Sequence, residues 1–252
     1  MDFKKINIES LRIICLSILL LIVVSCNSQS AIEYYKLGAW YDTIGQQKKA
    51  FKYYTKAIKK DPTNPYYYVR RANIRIDVNF KKATLEKDVF ADLNKALSIE
   101  PNNYDALYWR AFWLYKFIPE LHDGEKAIVE LEALAKLYPT KADTYWLLGE
   151  ICIRNDTAIA YKSYKTLLQL VSNKPKVYNK MATHEYIYGY YQQAINHYSL
   201  VDTLTSYSSN NLAYCYWMTN KKDSACRFYI EDNEPKLEKE YKDLIEYCKS
   251  KK

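Results

Sequence analysis

The sequence contains few of the residues that form turns and few of those that bind metals. Its 252 residues include only 5 Gly and 7 Pro, against 27 Tyr. This composition argues against an all-β design and against a disordered chain, and it predicts helices. Only 3 His are present, and the cysteines do not follow a metal-ligand spacing, so no metal site is expected.

Catalytic motifs are also missing. His184-Glu185 resembles the start of a helical zinc-protease motif, but Tyr188 stands where the second histidine is required. The sequence has no Gly-rich phosphate loop, no nucleophile elbow and no pair of carboxylates in a recognisable frame. It therefore predicts neither enzymatic activity nor a cofactor.

The positive charge is mild, with a formal net value of +8. Much of it lies between Lys48 and Lys60 and in the tail, where Lys alternates with Glu as on solvated helix faces. A nucleic-acid surface would place basic residues on one face beside stacking aromatics, whereas the aromatics here fall at helix-packing spacing. No nucleic-acid partner is expected.

The N-terminus has the features of a cleaved signal peptide over residues 1–25. Lys4 and Lys5 precede a mainly apolar run from Ile13 to Val24 that ends in small residues. A membrane-spanning helix needs about 20 apolar residues. This run is too short to be one.

The end of this segment, Val23-Val24-Ser25-Cys26, resembles a bacterial lipobox. The resemblance implies that Cys26 becomes the first mature residue and carries acyl chains such as palmitate, with residues 26–30 as a short tether. Several long chains on one residue hold a protein firmly at a membrane. With Asn27 rather than aspartate after the cysteine, the sequence resembles lipoproteins that are sorted to the outer membrane. Periplasmic exposure is therefore expected. The alternative is an ordinary signal peptide with an incidental cysteine.

The glycines and most prolines recur in a helix–turn–helix unit of about 34 residues. In residues 31–64 the unit carries small, aromatic and proline signature residues: Tyr34, Leu37, Gly38, Tyr41, Gly45, Ala50, Tyr54, Ala57 and Pro62. This pattern resembles the tetratricopeptide repeat. Gly38 and Ala50 allow two helices to approach closely, and Pro62 ends the second helix.

The unit is repeated along the chain. Further repeats are predicted at 65–103, 104–141, 142–174, 175–208 and about 206–234, with enlarged turns in the second and third. Residues 235–252 are predicted to form an amphipathic capping helix and a tail. The helix would cover the apolar face of the last hairpin. The resemblance thus implies an all-α, right-handed α-solenoid of about six helical hairpins over residues 31–234.

Four cysteines follow Cys26, namely Cys152, Cys215, Cys226 and Cys248. Cys215 and Cys226 fall on the two predicted helices of the sixth hairpin, and theirs is the only pairing expected to be within reach in an oxidising compartment. The alternative is that these cysteines are small apolar fillers of the core.

In tetratricopeptide proteins, fixed positions on the first helix of each hairpin line the concave groove. Those positions fall here on Tyr35, Tyr66, Asn73, Asp105, Tyr108, Phe112, Tyr115, Trp146, Glu150, Asn179, Thr183, Tyr186, Tyr207, Asn210, Tyr214 and Trp217. Rigid aromatics with polar tips suit a peptide or protein partner. The alternative is that the rings pack between hairpins.

The carboxylate clamp of the co-chaperone subgroup is absent, since Tyr35, Ala39, Asp105 and Trp109 stand at its positions. The expected function is a non-enzymatic scaffold for protein–protein interaction or assembly, lipid-anchored in the bacterial cell envelope. In size and layout the chain resembles the pilotins and the helical-repeat lipoprotein of outer-membrane barrel assembly. The alternative function is a lipoprotein that binds a glycan or small ligand in the aromatic groove.

Overall fold

The computed structural model describes residues 29–75, 82–117, 124–153, 156–230 and 239–251. These ranges contain thirteen α-helices and no β-strand. The predicted signal peptide and Cys26 lie outside the described residues. None of the described helices combines the length and the apolar character that crossing a membrane requires. The predicted all-α fold class is confirmed.

The chain divides into two compact units, residues 1–109 and residues 110–252. The helices of the N-terminal unit are α1 (Ala31–Thr43), α2 (Gln47–Lys60), α3 (Pro65–Ile74), α4 (Lys82–Ile99) and the start of α5 (Tyr104–Phe117). In this unit α1 packs on α2, α2 on α3 and α3 on α4.

The C-terminal unit contains the rest of α5 and eight further helices, each of which packs on the next from α6 onwards. They are α6 (Gly124–Leu137), α7 (Ala142–Cys152), α8 (Thr157–Leu170), α9 (Lys174–Ile187), α10 (Tyr191–Tyr198), α11 (Ser206–Met218), α12 (Lys222–Phe228) and α13 (Lys239–Lys249). Helix α13 contacts both α11 and α12. It therefore caps the last hairpin, as predicted, although Pro235 and Leu237 lie outside the described residues.

Polar residues begin many of these helices. Ser30 forms a capping box with Glu33: the Ser30 amide donates to the Glu33 carboxylate at 2.7 Å, and the Glu33 amide donates to Ser30 Oγ at 3.3 Å. The side chains that cap the starts of α3, α8, α9 and α11 are Asn64, Asp156, Asn173 and Thr205. Each accepts a backbone N–H that the first helical turn leaves unpaired.

Three hairpins turn with the same backbone geometry. Gly45, Gly189 and Asn220 follow α1, α9 and α11 with φ of +71°, +77° and +59°. Their amides donate to the carbonyls three residues earlier: Gly45 to Asp42 at 3.0 Å, Gly189 to Tyr186 at 3.2 Å and Asn220 to Trp217 at 3.0 Å. A left-handed residue at this position closes a helix end, and Gly and Asn adopt it most readily.

Two glycines bring paired helices into close contact. A Cβ atom on Gly38 would lie 2.7 Å from Tyr54 Cδ1, and one on Gly149 would lie 2.5 Å from Tyr164 Cε1. Both tyrosines are completely buried. The predicted role of Gly38 is confirmed, and the fourth hairpin repeats it.

The prediction that Cys215 and Cys226 are the only pair within reach of each other is wrong. Cys226 is bonded instead to Cys248 of α13, with 5.2 Å between their Cα atoms. Cys215 is free and faces a different core cluster, with Ala182 and Leu212, whereas Cys226 packs against the cluster beneath α13. The alternative interpretation, a buried apolar filler, holds for Cys215 and also for Cys152.

Candidate functional site

In the N-terminal unit, one predicted groove ring is used for packing and another is open. The Tyr35 ring lies 5.7 Å from Tyr54 and 5.2 Å from Tyr67, so it joins α1, α2 and α3. Tyr66 is 47% exposed. Asn73 and Tyr108 are half-buried, and Asp105 is exposed. Tyr66 is thus the aromatic groove position of this unit that offers most surface.

On the C-terminal part of α5, the predicted positions Phe112 and Tyr115 share one cation. Lys116 Nζ lies 5.7 Å from the Phe112 ring and 5.5 Å from the Tyr115 ring. Tyr115 is 37% exposed, and Phe112 is half-buried beside Trp113 at 4.7 Å. Ammonium groups are attracted to ring faces. The helix therefore presents a mixed aromatic and basic surface.

Trp146 borders a cavity of about 240 Å³ that Asp143, Asn173 and Lys176 also line. The Lys176 ammonium lies 4.5 Å from the centre of the indole, so it already occupies one contact position of the ring. Glu150, one turn further along α7, forms an ion pair with Lys180 at 2.7 Å. This part of the predicted groove combines the indole ring of Trp146 with nearby polar side chains, a combination that is common in small-ligand sites.

The last predicted positions lie beneath α13 or against its neighbours. Tyr214 is buried and stacks on Tyr241 at 4.5 Å between ring centres, and the Tyr186 hydroxyl lies 3.2 Å from the Tyr241 hydroxyl. Asn210 is buried and bonds the backbone of Ile230 at both ends of its amide, at 2.8 and 3.3 Å. These three groove positions hold the end of the chain together.

The remaining positions are mixed. Asn179 accepts a hydrogen bond from Ser208 at 2.9 Å, and the Thr183 hydroxyl donates to the Asn179 carbonyl at 2.9 Å. Trp217 is half-buried beside Tyr247 at 5.5 Å, whereas Tyr207 is exposed. The groove stays a prediction. Its most exposed aromatic members are Tyr66, Tyr115 and Tyr207, whereas Trp146 and Trp217 are half-buried.

A buried ionic network in the N-terminal unit was not predicted from the sequence. Both carboxylate oxygens of Asp92 accept from the Arg71 guanidinium, at 2.6 and 2.9 Å, and Arg75 adds a contact at 3.3 Å. Arg75 also binds Asp88 at 3.1 Å. The two-point geometry is the strong form of this contact. Because α3 and α4 each contribute, the network orders the second hairpin rather than offering charge to a ligand.

A second unpredicted feature surrounds His184, which is only 3% exposed. Neither ring nitrogen has a hydrogen-bond partner within the described residues, and burial lowers the pKa of the imidazole. Its neighbour Glu185 is held by His197 Nδ1 at 2.7 Å. His184 and Glu185 both border a cavity of about 330 Å³, which Tyr161 and Tyr190 also line. Within the described ranges, no group of three or more His, Cys, Asp or Glu could hold a metal.

No known protein-family model matches the chain. A match among curated proteins is the "Protein CTR9 homolog" of Arabidopsis thaliana, 32% identical over 133 residues. That match covers 53% of this chain but only 12% of the plant protein. The likeness is therefore to a small part of a much longer protein.

Solved structures resemble a much larger share of the chain. PilF of Pseudomonas aeruginosa is 21% identical, with a TM-score of 0.63 over 79% of this chain and 88% of its own. PilW, described as a type IV pilus biogenesis factor, is 18% identical, with a TM-score of 0.67 over 86% and 99%. A tetratricopeptide repeat protein of Parabacteroides merdae is 20% identical, with a TM-score of 0.60 over 80% and 78%. The chain has the fold of the tetratricopeptide-repeat proteins.

Proposed function

We propose that the protein is a non-enzymatic scaffold for protein–protein interaction or assembly, anchored in the bacterial cell envelope by acyl chains on Cys26. The observation that carries the proposal is the repeat fold together with the open aromatic positions Tyr115 and Tyr207 of the C-terminal unit. Tyrosine supplies a large rigid contact area and a polar tip, and such residues dominate the binding energy of many protein interfaces.

The likeness to PilW supports an assembly role, since that protein is described as a pilus biogenesis factor. It also supports the prediction that the protein is not an enzyme. The partner is a protein or peptide that contacts the exposed aromatic positions, and neither nucleic acid nor metal is part of the proposal.

The Cys226–Cys248 disulfide supports a location outside the reducing cytosol. Disulfides persist in the periplasm and at cell surfaces but are rare in cytosolic proteins. An outer-membrane anchor that faces the periplasm, as the lipobox resemblance implies, would place the chain in such a compartment.

Crosslinking in intact cells followed by a pull-down from detergent-solubilised membranes tests the scaffold. The wild-type protein should recover one dominant protein, and the double variant Tyr115→Ala/Tyr207→Ala should recover much less of it. Val129→Ala is the matched control, because Val129 is 64% exposed but lies on α6, outside the predicted groove positions. Recovery of no protein by the wild type would refute the proposal.

The lipid anchor has a separate test. Cells fed labelled palmitate should label the wild-type protein and not Cys26→Ser, and the variant should leave the membrane fraction. Labelling of both proteins, or of neither, would rule out an anchor at Cys26.

The second candidate is a glycan or small-ligand receptor. The 240 Å³ cavity beside Trp146 favours it, because sugar rings stack on indoles and Asp143 and Asn173 could bind hydroxyl groups. The Lys176 ammonium opposes it, since a ligand would have to displace that contact from the ring. Titration calorimetry with oligosaccharides decides: heat that disappears in Trp146→Ala supports the receptor, and no heat with any glycan removes it.

A further inference from the structure

One face of the first helix is apolar and open. A stripe along α1 and its C-cap is formed by residues at intervals of four, namely Ile32, Lys36, Trp40 and Ile44. Ile32 is 48% exposed, Trp40 55% and Ile44 45%. Gly38, which contacts Tyr54 of α2, lies on the opposite face of the helix. Exposed apolar residues that are grouped in this way indicate an interaction surface.

The stripe continues into a row of aromatic rings between α1 and α2. The Trp40 ring lies 4.7 Å from the Tyr41 ring, which stacks on Tyr53 at 5.3 Å. Two ammonium groups of α2 lie over these rings: Lys49 at 5.0 Å from Tyr41 and Lys56 at 5.1 Å from Tyr53. The first hairpin therefore presents apolar, aromatic and basic groups on adjoining surface.

The charge of this hairpin is strongly positive. Helices α1 and α2 contain seven lysines but only two carboxylates, Glu33 and Asp42. Asp42 is neutralised by Arg70 at 2.6 Å. Trp and Tyr rings prefer the headgroup level of a bilayer, and clustered lysines are attracted to anionic lipid. The combination suits an anionic membrane surface.

The length of chain before α1 favours the same occupant. Ala31 is only five residues along the chain from Cys26. Five extended residues span about 17 Å, so acyl chains on Cys26 would keep the start of α1 within that distance of the lipid surface. A bilayer would then be permanently within reach of the stripe, whereas any other occupant would have to compete with it.

We propose that the exposed face of the first hairpin is a lipid-binding surface. Ile32, Trp40 and Ile44 lie in the headgroup region of an anionic bilayer, and the lysines of α2 contact lipid phosphates. The surface rests on the proposed anchor and gives the protein a second membrane contact besides its acyl chains.

Tryptophan fluorescence of the full acylated protein in vesicles tests this surface. The vesicles contain phosphatidylethanolamine and phosphatidylglycerol with brominated acyl chains, which quench nearby indoles. Trp40→Phe should remove more than half of the quenching. Trp146→Phe is the matched control and should leave it unchanged, because Trp146 packs in the core cluster of α7, α8 and α9. Equal quenching in both variants, or none in the wild type, overturns the proposal.

The contribution of the lysines is tested separately in the same quenching experiment. Replacing phosphatidylglycerol by phosphatidylcholine, or replacing Lys49 and Lys56 by Gln, should lower the quenching at least twofold. Quenching that is indifferent to both changes overturns the electrostatic part. A dimer in detergent that Trp40→Ala dissolves would assign the stripe to a second copy of the chain and also overturn the proposal.

Failure of the anchor is distinguishable from failure of the surface. Mass spectrometry of the purified protein shows whether Cys26 carries acyl chains, and a protein without them overturns the anchor. An acylated protein that sediments with the vesicles but shows no quenching at Trp40 overturns the lipid-binding surface alone.

Discussion

At the scale of single residues, Gly38 and Asn210 determine how neighbouring segments pack. Gly38 brings two helices together, because a side chain there would collide with Tyr54. Asn210 was assigned to a groove, yet its amide binds the backbone of Ile230. The position of Asn210 within its repeat carries no information about the segment that follows α12, so its partner could not be foreseen.

His184 should make the protein sensitive to mild acid. Burial lowers the pKa of His184 below the value of about 6.5 that it has in the unfolded chain, and the weaker opposing effect comes from Glu185. The unfolded chain therefore binds this proton at higher pH than the folded one. The free energy of unfolding should fall as the pH drops below about 6.5, and His184→Met should lose this component. Urea unfolding of both proteins between pH 7.5 and 5 measures it, and parallel curves would contradict it.

The free thiols should be inert while the protein is folded. Burial raises the pKa of Cys152 and of Cys215 to about 12, and the thiolate is the reactive form. Iodoacetamide at neutral pH should label neither thiol until a denaturant is added. Peptide mapping without reduction should recover Cys226 linked to Cys248. A Cys215–Cys226 peptide, or labelling of native Cys215, would contradict the structure.

At the scale of elements, the repeat pattern predicts which segments are helical but not how the last ones assemble. Small residues recur because the two helices of a hairpin approach closely, and prolines recur where a second helix ends. The positions of these residues in the sequence therefore indicate which helices pair. The Cys226–Cys248 bond could not be predicted in this way. The repeat pattern places Cys215 and Cys226 on the two helices of one hairpin, but it does not show where the capping helix that carries Cys248 packs. The contacts of Tyr241 with Tyr186 and Tyr214 were missed because a capping helix has no repeat signature.

Gly149→Ala should destabilise the fourth hairpin. The new Cβ atom would lie 2.5 Å from the Tyr164 ring, so α7 and α8 would have to separate. Overpacking of this kind costs about 1–3 kcal/mol of the free energy of unfolding. Tyr164→Leu removes the ring, and the double variant should lose less stability than the sum of the two single ones. Additive losses in urea unfolding would show that the contact is not the cause.

At the scale of the whole molecule, the fold was predictable because many positions of one repeating unit agree, and structural likeness over most of the chain bears it out. The partner was not predictable. Exposed positions such as Tyr66 and Tyr115 carry few constraints from packing, so their chemistry indicates the kind of partner without identifying it.

In the proposed scaffold, exposed aromatic positions on the first helix of a hairpin contact a protein partner. Photo-crosslinking amino acids placed in living cells at Tyr115, Tyr207 and Val129 measure this contact. We expect one crosslinked protein of the same mass from Tyr115 or Tyr207, or from both, and none from Val129. No adduct at either tyrosine, or the same adduct at all three positions, would contradict it.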